Sequence, residues 1–151
     1  MPDFKKHQTL MAFDYGLRQI GVAHGQTLTS SAEGIGILKA SDGAPNWDQV
    51  YALLNEWKPG LLLVGLPLNM DGSESELSRL ARKFARRLHG RFNLDVLMVD
   101  ERLTSQDAKS SLREAGSSRE GGKVDLTKID HLAAALILQS WLDQPSLGQK
   151  P

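Results

Sequence analysis

The sequence predicts an α/β domain built on a mixed five-stranded sheet with helices on both faces. Three observations carry that prediction. The stretch LMAFDYGLRQIGVA (10–23) holds two apolar runs joined by a short turn through Gly16 and Arg18, which reads as an antiparallel strand pair. The run LLLVG (61–65) is apolar without alternation and lies between turn signals, as a strand buried on both faces does. Beyond it, segments with helical spacing alternate with one more strand. The order is three strands, helix, strand, helix, strand, helix, helix: a meander followed by right-handed crossovers.

Taken in order, residues 1–8 read as a polar tail. Thr9 to Asp14 forms the first strand, Ile20 to Gly25 the second, and EGIGILKA (33–40) the third. Pro45 opens a helix on which Trp47, Val50, Tyr51, Leu54 and Trp57 recur at helical spacing, and Lys58-Pro59-Gly60 ends it. Leu61 to Gly65 is the fourth strand. A second helix runs from about Ser73 to His89, with Ser73 and Glu76 at capping-box spacing and Gly90 as its stop. Leu94 to Val99 is the fifth strand. Thr104 or Ser105 caps a helix through Ala108 to Glu114, GSSREGGK (116–123) is a loop, and the last helix spans about Leu126 to Leu142. Pro145 onward reads as a second polar tail.

A chain of 151 residues suits one domain with one core, here about residues 9–142. No window of about 18 apolar residues occurs, so no membrane span is expected. The start MPDFKKHQT has no apolar segment of the kind that a secretory signal requires. There is no cysteine, which removes disulfides and thiolate metal sites and fits a reducing cytoplasm. Eighteen basic residues balance eighteen acidic ones, so binding to nucleic acid requires the positive charge to be gathered locally.

The chemistry is concentrated in carboxylates. Asp14 ends an apolar strand and shares a face with Leu10 and Ala12. A charge there either caps the turn or holds a cation beside a backbone that a phosphate can approach. Asp100 and Glu101 follow the fifth strand on opposite faces, so one of them turns to the site. Glu101 has the longer reach, and Asp100 is placed to pair with Arg102 or cap the next turn. Asp130 falls within the apolar stripe of the last helix, where it serves either the helix dipole or a site. Asp71 is read as a turn residue and His131 as a solvated or hydrogen-bonded histidine.

In sheets of this kind, sites collect at the carboxyl ends of parallel strands, where these acids fall. Clustered carboxylates repel unless a cation neutralises them, and Mg²⁺ prefers carboxylate and phosphate oxygens. Two such ions about 4 Å apart activate water and stabilise the leaving oxygen of a phosphodiester. The second helix presents Arg79, Arg82, Lys83, Arg86 and Arg87, which form either a solvated face or a track for a phosphate backbone.

The stretches MAFDYGLRQIGVAHG, LLLVGLPLNMDGS, ARKFARRLHGRF, VDERLTS and KIDHLAAALILQSWL resemble the YqgF-type family of bacterial ribonuclease-H-like proteins, from about Thr9 to Leu142. The resemblance implies a ribonuclease-H-like fold with strand order 3-2-1-4-5 and strand two antiparallel. Members of that family are described as candidate Holliday-junction resolvases and as candidate nucleases maturing the 5′ end of precursor 16S ribosomal RNA in the cytoplasm. Carried onto this chain, the acidic site is Asp14, Glu101 and Asp130. Related resolvases of the wider superfamily carry an acid near the end of strand four. Here that point is Leu66-Pro67, and the acid comes from the end of strand five.

The expectation is therefore a nuclease that uses one or two Mg²⁺ or Mn²⁺ ions on structured RNA, working as a monomer or weak homodimer. Arg18, Arg82, Lys83, Arg86 and Arg102 are its candidate phosphate contacts. Branched DNA is the alternative substrate. The Asp-Tyr-Gly turn also resembles the first phosphate loop of sugar kinases and actin, but the chain is too short for that two-domain fold. A non-catalytic RNA-binding protein is the third reading, against which the three acids argue.

Overall fold

The computed structural model describes residues 8–103 and 129–151. Six strands form one sheet: β1 (Thr9–Asp14), β2 (Gln19–Gln26), β3 (Ser31–Ser41), β4 (Ala44–Pro45), β5 (Leu61–Leu66) and β6 (Asp95–Asp100). Three helices accompany them among the described residues: α1 (Trp47–Trp57), α2 (Glu76–Phe92) and α3 (Ile129–Asp143). The sheet order is β4-β3-β2-β1-β5-β6. β2 runs antiparallel to β1, and β1, β5 and β6 are mutually parallel. Without the two-residue β4, this is the expected order of five strands. β4 was not anticipated. Pro45 pairs with Ala40 at the sheet edge, a position where a missing N–H costs nothing.

Side-chain alternation divides the core between the two faces of the sheet. Met11 and Phe13 of β1, Leu62, Val64 and Leu66 of β5, and Val96 and Met98 of β6 pack against α1 and α2. Leu10, Ala12, Leu63 and Val99 pack instead against Ala134, Ile137, Leu138 and Trp141 of α3.

The helix ends differ from expectation for local reasons. α1 begins at Trp47 rather than Pro45 because the Asn46 side chain accepts from the Asp48 amide, and Lys58 closes it in a left-handed conformation. α2 is capped by Ser75, not Ser73. The Asp71 carboxylate takes both the Ser73 amide and hydroxyl, at 2.9 and 2.6 Å, while Ser75 and Ser78 form the reciprocal box. Gly90 does not stop the helix. The helix continues to Phe92, whose ring meets Trp47 and Tyr51, and Asn93 supplies the left-handed cap.

The expected C-terminal tail is also structured. After α3 a 3-10 turn spans Pro145–Leu147, and Gln149 exchanges two backbone hydrogen bonds with Met98 on the outer edge of β6. The expected helix at Ala108–Glu114, the loop at Gly116–Lys123 and the beginning of the last helix at Leu126 lie outside the described residues. No helix among the described residues is long and apolar enough to cross a membrane.

Candidate active site

The site lies where three parallel strands end. Leu10 and Ala12, Leu63, and Val99 belong to the core beneath α3, and the two-residue period extends that face to Asp14, Gly65 and Glu101. Leu66 pairs with Asp100, so Glu101 leaves its strand one step beyond the end of β5. Glu101 then crosses above β5 to Asp14. Its carboxyl and that of Asp14 share a hydrogen bond.

Burial first, and then the Asp14 bond and the charges of Asp14 and Asp100, push the Glu101 pKa up from 4.5 to about 8. Two carboxyls this close disfavour double ionisation, so a proton is held at the pair and the charged form of Glu101 is disfavoured.

Asp100 points to the opposite face. Its Oδ1 accepts from the Arg102 amide at 2.9 Å, and its Oδ2 accepts from Arg102 Nη2 at 2.8 Å. Burial works to raise the Asp100 pKa, but the Arg102 hydrogen bonds and charge outweigh it and hold the carboxyl below its ordinary value. Of the two acids at the end of β6, Glu101 is thus the one that meets Asp14, and Asp100 is tied to Arg102.

Arg102 also donates to the Met70 carbonyl at 3.3 Å, which fastens the β5–α2 loop beside the site. The same loop is held at its base by the Ser78 hydroxyl, which donates to the Pro67 carbonyl. Asp71 shapes its tip before Gly72, which takes a positive φ of 88°.

The remaining candidates are dispersed. A groove of about 440 Å³ runs beside Asp14, lined by the turn residues Gly16 to Gln19 and by Leu77, and Arg18 lines it. Lys83 is exposed and borders a smaller cleft with Tyr15 and Arg87. Arg82 is paired with Glu74 at 2.8 Å, and Arg102 is engaged with Asp100. Arg86 lines a larger cleft of about 1100 Å³ at the far end of the sheet, where β5 and β6 begin. That cleft holds neither carboxyl of the pair.

Asp130 stands in the first turn of α3, seven residues before Ile137. Its side chain and that of His131 lie outside the described residues. Among the described residues, no three potential ligand side chains form a metal cluster.

The fold defines the class first. T. thermophilus RuvC in complex with a Holliday junction superposes with a TM-score of 0.59 at 15% identity, covering 95% of this chain and 99% of that one. The yeast mitochondrial Holliday junction resolvase Ydc2 gives 0.57 at 14% identity, covering 93% and 80%. The fowlpox virus resolvase gives 0.52 at 16%, covering 91% and 99%. The architecture is thus the ribonuclease-H-like fold of the RuvC-like resolvases.

Sequence then gives the family. The RuvX model, described as Holliday junction resolvase, matches residues 8–144, and the chain belongs to that family. A Glaesserella parasuis relative is 50% identical over 139 residues, 92% of this chain and 99% of its own. One from Acinetobacter baylyi is 47% identical over all 151 residues. Both relatives are named as candidate pre-16S rRNA nucleases.

Proposed function

We propose that this protein is a divalent-metal-dependent nuclease that hydrolyses phosphodiester bonds in structured RNA, maturing the 5′ end of precursor 16S ribosomal RNA in the cytoplasm. The observation that carries this reading is the Asp14–Glu101 carboxyl pair at the ends of parallel strands. Membership of the RuvX family and the names of its relatives support the reaction class.

The donor chemistry fits Mg²⁺ or Mn²⁺. Both groups are hard oxygen donors, and burial together with the neighbouring Asp14 carboxyl raises the pKa of Glu101, a strain that a divalent cation would relieve. Asp14 and Glu101 would hold the ion, with Asp130 as third ligand from the first turn of α3. Bound there, one or two such ions supply an activated water and charge neutralisation at the leaving oxygen.

The protein's own contributions are positional. Glu101 would hold a cation only in its deprotonated form, so metal affinity would rise with pH. The groove beside Asp14 receives the backbone, and Arg18 on its wall lowers the cost of bringing a phosphate to two acids. Arg102 keeps the β5–α2 loop against the site through Met70.

Branched DNA is the second substrate class, favoured by the family description and by the junction bound to T. thermophilus RuvC. The test is cleavage of a labelled precursor rRNA leader and a labelled four-way DNA junction, each with Mg²⁺, with chelator and with Asp14→Asn. Metal-dependent RNA cutting that disappears in the variant supports the proposal. Cutting of the junction alone, at symmetric positions, transfers it to DNA. Absence of cutting of either substrate, with RNA binding unaffected by Asp14→Asn, refutes it in favour of a binding module.

A further inference from the structure

We infer that Gly65 is a positioning residue of the acidic site: its missing side chain is the passage through which Glu101 reaches Asp14. The inference rests on the nuclease reading for its meaning and on geometry for its support.

β5 lies between β1 and β6, and Gly65 is on the α3 face, level with Asp14 and two residues short of Glu101 in the register of β6. A Cβ built on Gly65 would stand 3.1 Å from both Cγ and Cδ of Glu101, and 2.5 Å from Cδ1 of Ile137. The first pair of contacts is tighter than ordinary van der Waals packing, and the third is a collision. Ile137 closes the space from α3, and Asp14 is in front of the Glu101 carboxyl. A methyl group at this position therefore presses on the Glu101 side chain, which must give by a few tenths of an ångström at the carboxyl that forms the pair.

Backbone conformation does not explain this glycine. The positive-φ glycines among the described residues are Gly43 and Gly72, so Gly65 has a φ that any residue adopts. Within a buried strand, glycine is a weak choice: it loses more chain entropy than alanine and packs nothing. What remains is the room that it leaves. That room also accounts for how an acid placed after β6, a strand further from β1 than β5 is, comes into contact with Asp14.

The test compares Gly65→Ala with Gly65→Ala/Ile137→Val. The second change removes the Ile137 Cδ1 atom and so relieves the collision while leaving the contacts with Glu101. In each background a double-mutant cycle with Asp14→Asn and Glu101→Gln, read by denaturant unfolding at one fixed pH, measures the coupling between the two acids. Mn²⁺ affinity is measured in parallel by calorimetry.

The expected result is that Ile137→Val restores most of the unfolding stability lost to Gly65→Ala. The coupling stays weakened, and Mn²⁺ binds about tenfold or more weakly, the scale for groups that orient metal ligands. A filler of the core with no further role would lose stability alone. Wild-type coupling and wild-type Mn²⁺ affinity in the double variant would overturn the inference. If coupling is weakened but even the unsubstituted protein binds no Mn²⁺, the metal reading falls and the positioning role of Gly65 stands.

Discussion

Asp14 and Glu101 share a hydrogen bond although a whole strand separates the strands that carry them. The contact requires Glu101 to lie one residue past its strand, on the α3 face, and to pass over a position without a side chain. Asp100, its neighbour, is directed away and neutralised by Arg102. Two consecutive acids thus have separate roles, one in the pair and one in the scaffold.

The pair makes stability depend on pH in a defined direction. The Glu101 pKa is raised from 4.5 to about 8 in the folded state, so across that interval this carboxyl binds more protons in the folded chain than in the unfolded one, while buried His24, held below its ordinary value, works in the opposite direction. The Glu101 contribution to stability is highest below the lower value and is lost as pH rises towards the upper one. Thermal midpoints should fall between about pH 5 and pH 8, and Glu101→Gln should flatten that slope. A variant with the wild-type slope would assign the dependence to another group.

Arg102 is predicted to be structural before it is anything else. Removing it leaves the Asp100 carboxylate, 5% exposed in its side chain, without its cation and frees the Met70 carbonyl. Arg102→Ala should lower the melting temperature by a few degrees and speed hydrogen exchange in residues 67–75. Asp100→Asn in the same chain should recover part of the loss. Unchanged exchange in the loop would show that Arg102 does not fasten it.

The α3 helix is seated on β2 at Gly25. A Cβ there would run into the Ser31 carbonyl and stand 2.6 Å from Cδ2 of Leu138, with backbone on one side and a core side chain on the other. Gly25→Ala should cost about 2 kcal/mol in urea unfolding, in the range of overpacked cores. A cost near zero would mean that β2 and α3 separate easily.

Phosphate contacts are predicted to divide by engagement. Arg18 lines the groove beside Asp14, and Lys83 is exposed, whereas Arg82 is occupied by Glu74. Arg18→Ala and Lys83→Ala should each weaken RNA binding and reduce the slope of log affinity against log salt by about one. Arg82→Ala should change the slope less. Fluorescence anisotropy across a salt series measures all three, and equal slopes for all variants would contradict the division.

Much of the fold could be read from the chain because burial and alternation are written in the residues. Leu10, Ala12 and Asp14 do share one face, and LLLVG does form a strand buried on both sides. Alternation past Val99 placed Asp100 and Glu101 on opposite faces, and only the longer reach of Glu101 favoured it as the acid that turns to the site. The misplaced features depended on competition between neighbours. Ser73 has the spacing of a cap, but Asp71 claims its amide and hydroxyl. Gly90 looks like a stop, but Phe92 gains aromatic contacts by staying helical. The β4 pair and the Gln149–Met98 bridge involve too few residues to leave a periodic signal. The signal for Gly65 was present as a glycine inside an otherwise bulky strand, and it acquires meaning only when Glu101 is seen above it.

The central claim is that the Asp14–Glu101 pair binds the catalytic cation, and the most direct measurement is calorimetric titration with Mn²⁺ at pH 8. The wild-type chain should bind Mn²⁺, and binding should weaken by a factor of about ten or more in both Asp14→Asn and Glu101→Gln. Equal affinity in all three proteins would contradict that claim.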